Sequence, residues 1–232
     1  MRNDLAQFRD IYHGETVLIV GLGQNLSLTP PEWFGYKSFS VNQAHRWPGT
    51  WIPDYYATVD TRNYVEHGAE IAQKFAQIPK FVQSPRLDKW QGENFYRFPK
   101  MDGPLWEKQN GPLWQDDILG RPITYANIMH VVFKICWWMG FRTMLIIGME
   151  HRPHFGDRHF FGIDIGTNAD SPIDIWFEGY RQIRVEMERR GGRLLNISQD
   201  THVPEHILPR DDWRNWCLPT AVTTRAEVNV YA

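Results

Sequence analysis

The chain has 232 residues and a formal net charge of −2, and 42% of its residues are hydrophobic, a typical composition for a globular protein. The charge favours neither nucleic acid nor a membrane surface as a partner, and Cys136 and Cys217 are too few for a disulfide framework. The charged first residues do not resemble a signal peptide, and no stretch of 18 uninterrupted apolar residues occurs. We therefore expect a single cytoplasmic domain, residues 1–232, without a membrane span.

Strands and helices alternate along the first third of the chain. Apolar runs bounded by turn residues predict strands, and the spacing of Val65, Ile71, Phe75 and Ile78 before Pro79 predicts a helix. The predicted elements are a short amphipathic helix over 4–12, strands over 16–20, 37–41 and 55–59, a helix over 62–78 and a strand over 80–84.

The segment 85–123 is rich in proline, glycine and tryptophan and shows no periodicity. Such a composition predicts an inserted loop or lid over 85–120, and long ordered loops are often functional.

Regular elements resume after this segment. A helix that is apolar on nearly every side is predicted over 124–140, a buried strand over 142–148, a helix with Ser171 and Pro172 at its start over 171–192, and a last strand over 193–198. The alternation predicts an α/β fold: an open, mostly parallel, Rossmann-like sheet with helices on both faces.

The ends of the predicted strands carry small or polar residues, and ligands of open α/β sheets bind beyond these carboxyl ends. The first strand ends in Gly21 and Gly23, a turn that lets backbone approach a phosphate. The third glycine of a dinucleotide turn is replaced by Leu26, and Asn42 stands where an acidic residue would close the second strand. The turn therefore predicts a nucleotide site but not an NAD site.

Three histidines, His151, His154 and His159, follow the strand over 142–148. Imidazoles are the usual general bases at neutral pH, although a polar surface loop or a transition-metal site could also explain the cluster. Asp60 and Glu150 also follow strands and could together hold Mg²⁺ on a diphosphate, because Mg²⁺ prefers oxygen ligands.

Four stretches occur in an order and spacing that resemble a known pair of families: VLIVGLGQNL, SVNQAHRW, IPDYYATVD and YANIMHVVFKICWWMGFRTMLIIGMEH. They are similar to the 6-hydroxymethylpterin diphosphokinase-like (MptE-like) proteins and to the related family 42 bacterial sialyltransferases. The resemblance covers nearly the whole chain except 85–120. It implies a Rossmann-like fold that binds a nucleotide or nucleotide-sugar donor. The residues implied at the donor are Gly21, Gly23, Asn25, Asn42, Thr124, Asn127 and Glu150.

The chain differs from the sialyltransferases at the positions of their catalytic residues. Ile163 and Arg152 stand where the sialyltransferases have a catalytic histidine and tyrosine, whereas His159 keeps an earlier histidine of the motif. The favoured hypothesis is a nucleotide-sugar glycosyltransferase with His159 as base, His151 or His154 as reserve, and an unidentified acceptor. The alternatives are a diphosphokinase that transfers diphosphate from ATP with Mg²⁺, and a nucleotide-binding protein without catalysis.

Overall fold

The structure is a computed structural model that describes residues 4–83, 93–98, 114, 116–119, 123, 127–151, 158–163 and 173–219. Within these residues seven parallel strands form one sheet in the order β5-β4-β3-β2-β1-β6-β9. The strands are β1 Thr16–Val20, β2 Lys37–Val41, β3 Tyr55–Thr58, β4 Lys80–Gln83, β5 Phe95–Phe98, β6 Thr143–Ile147 and β9 Arg193–Asn196. A separate antiparallel pair is formed by β7 Arg158–His159 and β8 Gly162–Ile163. The predicted Rossmann-like sheet is confirmed.

Three α-helices lie among the described residues: α1 Thr61–Lys74, α2 Ile128–Trp138 and α3 Ile173–Arg189. Asp60 caps α1 by accepting a hydrogen bond from the amide of Arg62, and Asn127 caps α2 by accepting from the amide of His130. Short polar side chains at these positions satisfy amides that the first helical turn leaves without partners.

The pleat of the strands divides the core between the two faces of the sheet. The register aligns Val17 with Met144 and Ile19 with both Phe39 and Ile146, so these side chains share one face, which α2 and α3 cover. The other face carries Leu18, Val20, Leu145 and Ile147 with Leu195 of β9.

The second face is closed mainly by aromatic side chains from short segments. Trp33 and Trp213 lie with ring centroids 5.1 Å apart, and Trp47 and Phe34 are buried in the same cluster. The amide of Leu218 donates to the carbonyl of Trp33 over 2.8 Å. Residues near both ends of the described chain therefore cover this face together.

The direction of strand addition reverses beside β1. Strands β2 to β5 extend the sheet on one side of β1, whereas β6 and β9 extend it on the other. In open α/β sheets such a reversal opens a crevice at the carboxyl ends of the two central strands, and ligands bind there.

Several predicted boundaries are wrong. The helix over 4–12 is a 3₁₀ turn at Leu5–Phe8, and the helix over 62–78 ends at Lys74. The segment 85–120 is not only a loop or lid, because it supplies the edge strand β5, whose Phe95 and Phe98 are buried. Ile118 is also fully buried in the core, and most of the remaining segment lies outside the described residues.

In the part of the chain that the structure describes, no helix is both long enough and apolar enough to cross a membrane. Cys136 and Cys217 are both free thiols.

Gly21 provides a test of how closely β1 and β6 must approach. A Cβ at this position would collide with the carbonyl oxygen of Gly148, which belongs to buried backbone that cannot move aside. We expect Gly21→Ala to lower the free energy of unfolding by about 2–3 kcal/mol, the upper part of the range for overpacked cores. Urea denaturation measures the change.

Gly35→Ala is the matched control, because its Cβ would meet the flexible side chain of Leu218 at 3.0 Å. We expect this variant to lose less than about 1 kcal/mol, since a side chain can shift where backbone cannot. Equal losses in the two variants would contradict the packing argument.

Candidate functional site

The glycine turn, residues 21–25, lies in the crevice between β1 and β6, and most of its amides are already paired. Gly21 donates to the carbonyl of Ile147 over 2.8 Å, and Gly23 donates to the carbonyl of Gly148 over 2.7 Å. The turn continues into a five-residue 3₁₀ helix, Gln24–Leu28. These amides join the end of β1 to the end of β6 by hydrogen bonds, so they are not free to bind a phosphate.

Glu150 occupies the space above the turn. Its side chain is buried, and its Oε1 accepts a hydrogen bond from the amide of Asn25. A Cβ on Gly23 would lie 2.9 Å from the same oxygen. A carboxylate of the protein itself therefore lies where the sequence predicts the approach of a phosphate.

Asn25 presents a buried acceptor at the turn. Its Nδ2 donates to the carbonyl of Gln199, whereas its Oδ1 has no hydrogen-bond partner among the described residues. A buried acceptor without a donor costs free energy comparable to a lost hydrogen bond. A ligand that donates a hydroxyl or amino proton here would remove that cost.

The β7–β8 hairpin lies across the turn, which the sequence did not predict. Gly23 and His159 form an antiparallel bridge, and the amide of Phe160 donates to the carbonyl of Leu22 over 2.8 Å. Phe160 packs edge-on against Trp47, with ring centroids 5.2 Å apart. The structure thus brings His159 next to the glycine turn.

Asn42 follows β2 with a left-handed backbone, φ +46°. Its carbonyl accepts from the hydroxyl of Tyr56 over 2.7 Å, and its Oδ1 accepts from the hydroxyl of Thr58 over 3.1 Å. Asparagine tolerates this conformation better than most residues do. Since β2 is the neighbour of β1, the Asn42 amide lies one strand away from the turn.

Asp60 and Glu150 do not form the predicted Mg²⁺ pair. Asp60 follows β3 and Glu150 follows β6, and these strands are separated by three strand spacings, or about 14 Å. Asp60 is also engaged as the cap of α1 and as the partner of the Arg62 guanidinium at 2.9 Å. The predicted site is wrong because strand order decides which strand ends meet.

The side chain of His151 contacts α3, whereas that of the preceding residue, Glu150, contacts the amide of Asn25. His151 has a left-handed backbone, φ +46°, and its Nε2 lies 2.9 Å from the hydroxyl of Tyr180 on α3. That hydroxyl also accepts from Nδ2 of Asn127 over 2.6 Å. The prediction that His151 shares the cleft of Glu150 is therefore wrong, whereas Asn127 and His151 are joined through a tyrosine that the sequence did not single out.

Another histidine, the buried His130 of α2, supports this network. Its Nε2 lies 3.1 Å from the carbonyl of Trp176, and its ring meets Tyr180 edge-on. Burial lowers the pKa of His130 to about 3 and that of His151 to about 4, so both imidazoles are neutral at pH 7. Gly179 leaves room for the His130 ring, because a Cβ on residue 179 would collide with that ring.

Two further predicted residues, Thr124 and His154, lie outside the described residues, as does Arg152. The polar residues His130 and Lys134 inside an otherwise apolar helix were the signal that could have revealed the buried network.

The neutral histidines predict a loss of stability in mild acid. The unfolded chain takes up a proton on His130 below pH 6.5, but the folded protein does not until about pH 3, so stability falls as the pH drops. Between pH 7 and pH 5 this group alone should remove about 2 kcal/mol from the free energy of unfolding. Urea denaturation at the two pH values measures the loss.

His130→Gln keeps a donor for the Trp176 carbonyl and removes the titration, so its loss between pH 7 and pH 5 should be smaller by about 2 kcal/mol. His13→Gln, at an exposed histidine that pairs with Asp10 at 3.5 Å, serves as the control and should behave like the parent. Identical pH dependence in all three proteins would contradict the assignment.

Comparison of the chain with protein-family models, with curated proteins and with solved structures finds no match. A function for this crevice therefore has to be argued from the residues that line it.

Proposed function

We propose that the chain is a transferase that uses a nucleotide-activated donor, with a nucleotide sugar as the first candidate. The donor would bind at the carboxyl edge of the sheet, between the glycine turn and the β7–β8 hairpin. The observation that carries the proposal is the bridge between His159 and Gly23 at the point where strand order reverses. It joins a candidate base to the edge of the sheet where ligands of such folds bind.

Side chains would hold the nucleotide in this site. The unpartnered Oδ1 of Asn25 suits a ribose hydroxyl or a base amino group, and Asn42 offers an amide one strand away. Because Glu150 already takes the Asn25 amide, we expect the phosphates to lie towards the hairpin. The Arg46 guanidinium is on that side, 4.5 Å from the centre of the Phe161 ring.

In this arrangement His159 acts as general base on the acceptor hydroxyl. A base must lie within hydrogen-bond reach of the proton that it removes, and the hairpin holds His159 over the turn. Transfer of diphosphate from ATP has less support, since Asp60 and Glu150 are too far apart to share one Mg²⁺.

The first experiment identifies the nucleotide. A thermal-shift screen over CMP, UDP, GDP, ADP and ATP, with and without Mg²⁺, should show one base preferred, because a ligand at a hundred times its Kd adds about 2.7 kcal/mol of stability. A screen in which every nucleotide leaves the melting temperature unchanged would overturn the proposal.

Asn42→Gly tests the nucleotide contact, because glycine keeps the left-handed backbone and removes the amide. We expect the preferred nucleotide to bind about 3–10-fold more weakly, the value of one hydrogen bond. Asn94→Gly is the matched control: Asn94 is also left-handed, φ +62°, but lies before β5 at the opposite edge of the sheet. Isothermal titration calorimetry should show unchanged affinity in the control.

His159→Gln tests the chemistry. Removal of a general base should lower turnover about 10²–10⁴-fold while donor binding persists. The slow hydrolysis of nucleotide sugars without acceptor is the assay. His206→Gln, at an exposed histidine whose carbonyl accepts from Arg184 of α3, should retain parental turnover.

Equal turnover in His159→Gln and the parent would exclude His159 as base. Tight nucleotide binding by a parent protein that shows no turnover with any donor would favour the binding-only alternative.

A further inference from the structure

Two histidines converge on one carboxylate in the connections that follow β2 and β3. Nε2 of His45 lies 3.1 Å from Oε2 of Glu70, and Nδ1 of His67 lies 3.7 Å from the same oxygen. One potential ligand atom from each of the three residues falls within 4.8 Å of the others.

The fold explains why the three side chains meet. His45 belongs to the 3₁₀ segment Asn42–Arg46 that follows β2, whereas His67 and Glu70 are three residues apart on α1, which follows β3. Residues three apart lie on the same face of a helix, and α1 packs against the 3₁₀ segment. Because β2 and β3 are neighbours, the two connections necessarily lie side by side.

We propose that His45, His67 and Glu70 form a binding site for a divalent transition metal of the Zn²⁺ class. None of these three residues belongs to the proposed nucleotide site, although Arg46 lies beside both, and the metal site does not depend on the nucleotide proposal. Two imidazoles and one carboxylate are the ligand set of many open zinc sites, and imidazole ligands favour Zn²⁺ over Mg²⁺ or Ca²⁺.

The geometry requires little movement. Metal–ligand distances of about 2.0–2.2 Å place neighbouring ligand atoms of a tetrahedral site about 3.3–3.6 Å apart. The observed separations from the Glu70 oxygen, 3.1 Å to His45 and 3.7 Å to His67, bracket that range. Rotation of the Glu70 side chain, which is 66% exposed, could complete the arrangement without any change in the backbone.

A second observation supports the site from outside the ligand set. The other ring nitrogen of His67, Nε2, faces a carboxylate oxygen of Glu66 at 3.7 Å. Histidines that bind metals commonly direct their second nitrogen to a carboxylate, which orients the ring and raises its basicity. Glu66 is in position to do this for His67.

His45 is the most buried of the three ligands, since only 3% of its side chain is exposed. Nδ1 of His45 is buried and has no partner among the described residues. Because an unsupported second nitrogen weakens metal binding about 10–100-fold, we expect weaker binding than at a site in which every ligand has an outer partner.

The site opens onto solvent and so has room for a further ligand. His45 and Glu70 line a cleft of about 540 Å³ together with Arg46, Gln73 and Lys74. A site with three protein ligands leaves a coordination position for water or for an oxygen of a bound molecule. The cationic side chains Arg46 and Lys74 favour an anionic oxygen at that position.

The test uses the full chain, freed of metal with a chelator and then dialysed. Isothermal titration with ZnCl₂ should give one site per chain, and titration with CoCl₂ should give the visible absorption of a four- or five-coordinate cobalt complex. We expect His67→Gln and Glu70→Gln to bind at least 100-fold more weakly. Glu66→Gln should bind about 10–100-fold more weakly, the usual effect of losing the outer partner of a ligand.

His13→Gln is the control for the removal of a histidine, since the His13 side chain is 80% exposed and pairs with Asp10. Its affinity for Zn²⁺ should equal that of the parent.

Circular dichroism checks that each variant is folded, which we expect because His67 and Glu70 are not core residues. Parental affinity in folded His67→Gln would place the metal elsewhere, and failure of the parent to bind Zn²⁺ or Co²⁺ would exclude the site. Either result overturns the proposal.

Discussion

The close approach of β1 and β6 is the constraint on which the rest of the molecule depends. Gly21 and Gly23 lie so near the Gly148 backbone and the Glu150 side chain that a Cβ at either position would collide. This contact closes the sheet at its point of reversal and fixes the turn onto which the β7–β8 hairpin docks. The same contact moves Glu150 into the space that the amides of a typical phosphate turn leave open. One set of contacts thus defines both the architecture of the crevice and the chemistry that it can accept.

A second group of polar residues stabilises the face of the sheet that α2 and α3 cover. Asn127 begins α2 and also donates to Tyr180, whose hydroxyl contacts His151, so a helix cap, a core tyrosine and a strand end form one network. Buried polar groups are tolerated when their hydrogen bonds are satisfied, and such networks specify a unique packing of the elements that they join. Here the network determines how α2 and α3 lie relative to the carboxyl end of β6.

The sequence was sufficient for the fold class and for most elements of the sheet, because short apolar runs such as 143–147 read clearly as strands buried on both faces. It was insufficient where pairing between distant residues decides the structure. The strand Phe95–Phe98 lies in a segment rich in proline and tryptophan, and its strand character comes from pairing with β4. The separation of Asp60 from Glu150 depends on strand order, and the direction of His151 depends on a left-handed backbone. The His45–His67–Glu70 cluster combines two connections whose contact no local pattern reveals.

The aromatic cover of the second face has a consequence for how the protein is made. Trp33 and Trp213 are 180 positions apart in sequence yet pack together, and the Trp33 carbonyl is paired by Leu218. While the ribosome is still adding the intervening residues, this apolar surface has no cover, and β6 has not yet emerged to join β1. Nascent chains in such a state expose hydrophobic surface and depend on chaperones to avoid association. We therefore expect this domain to complete its fold only once the residues up to Leu218 have been made, and the early strands to stay exposed until then.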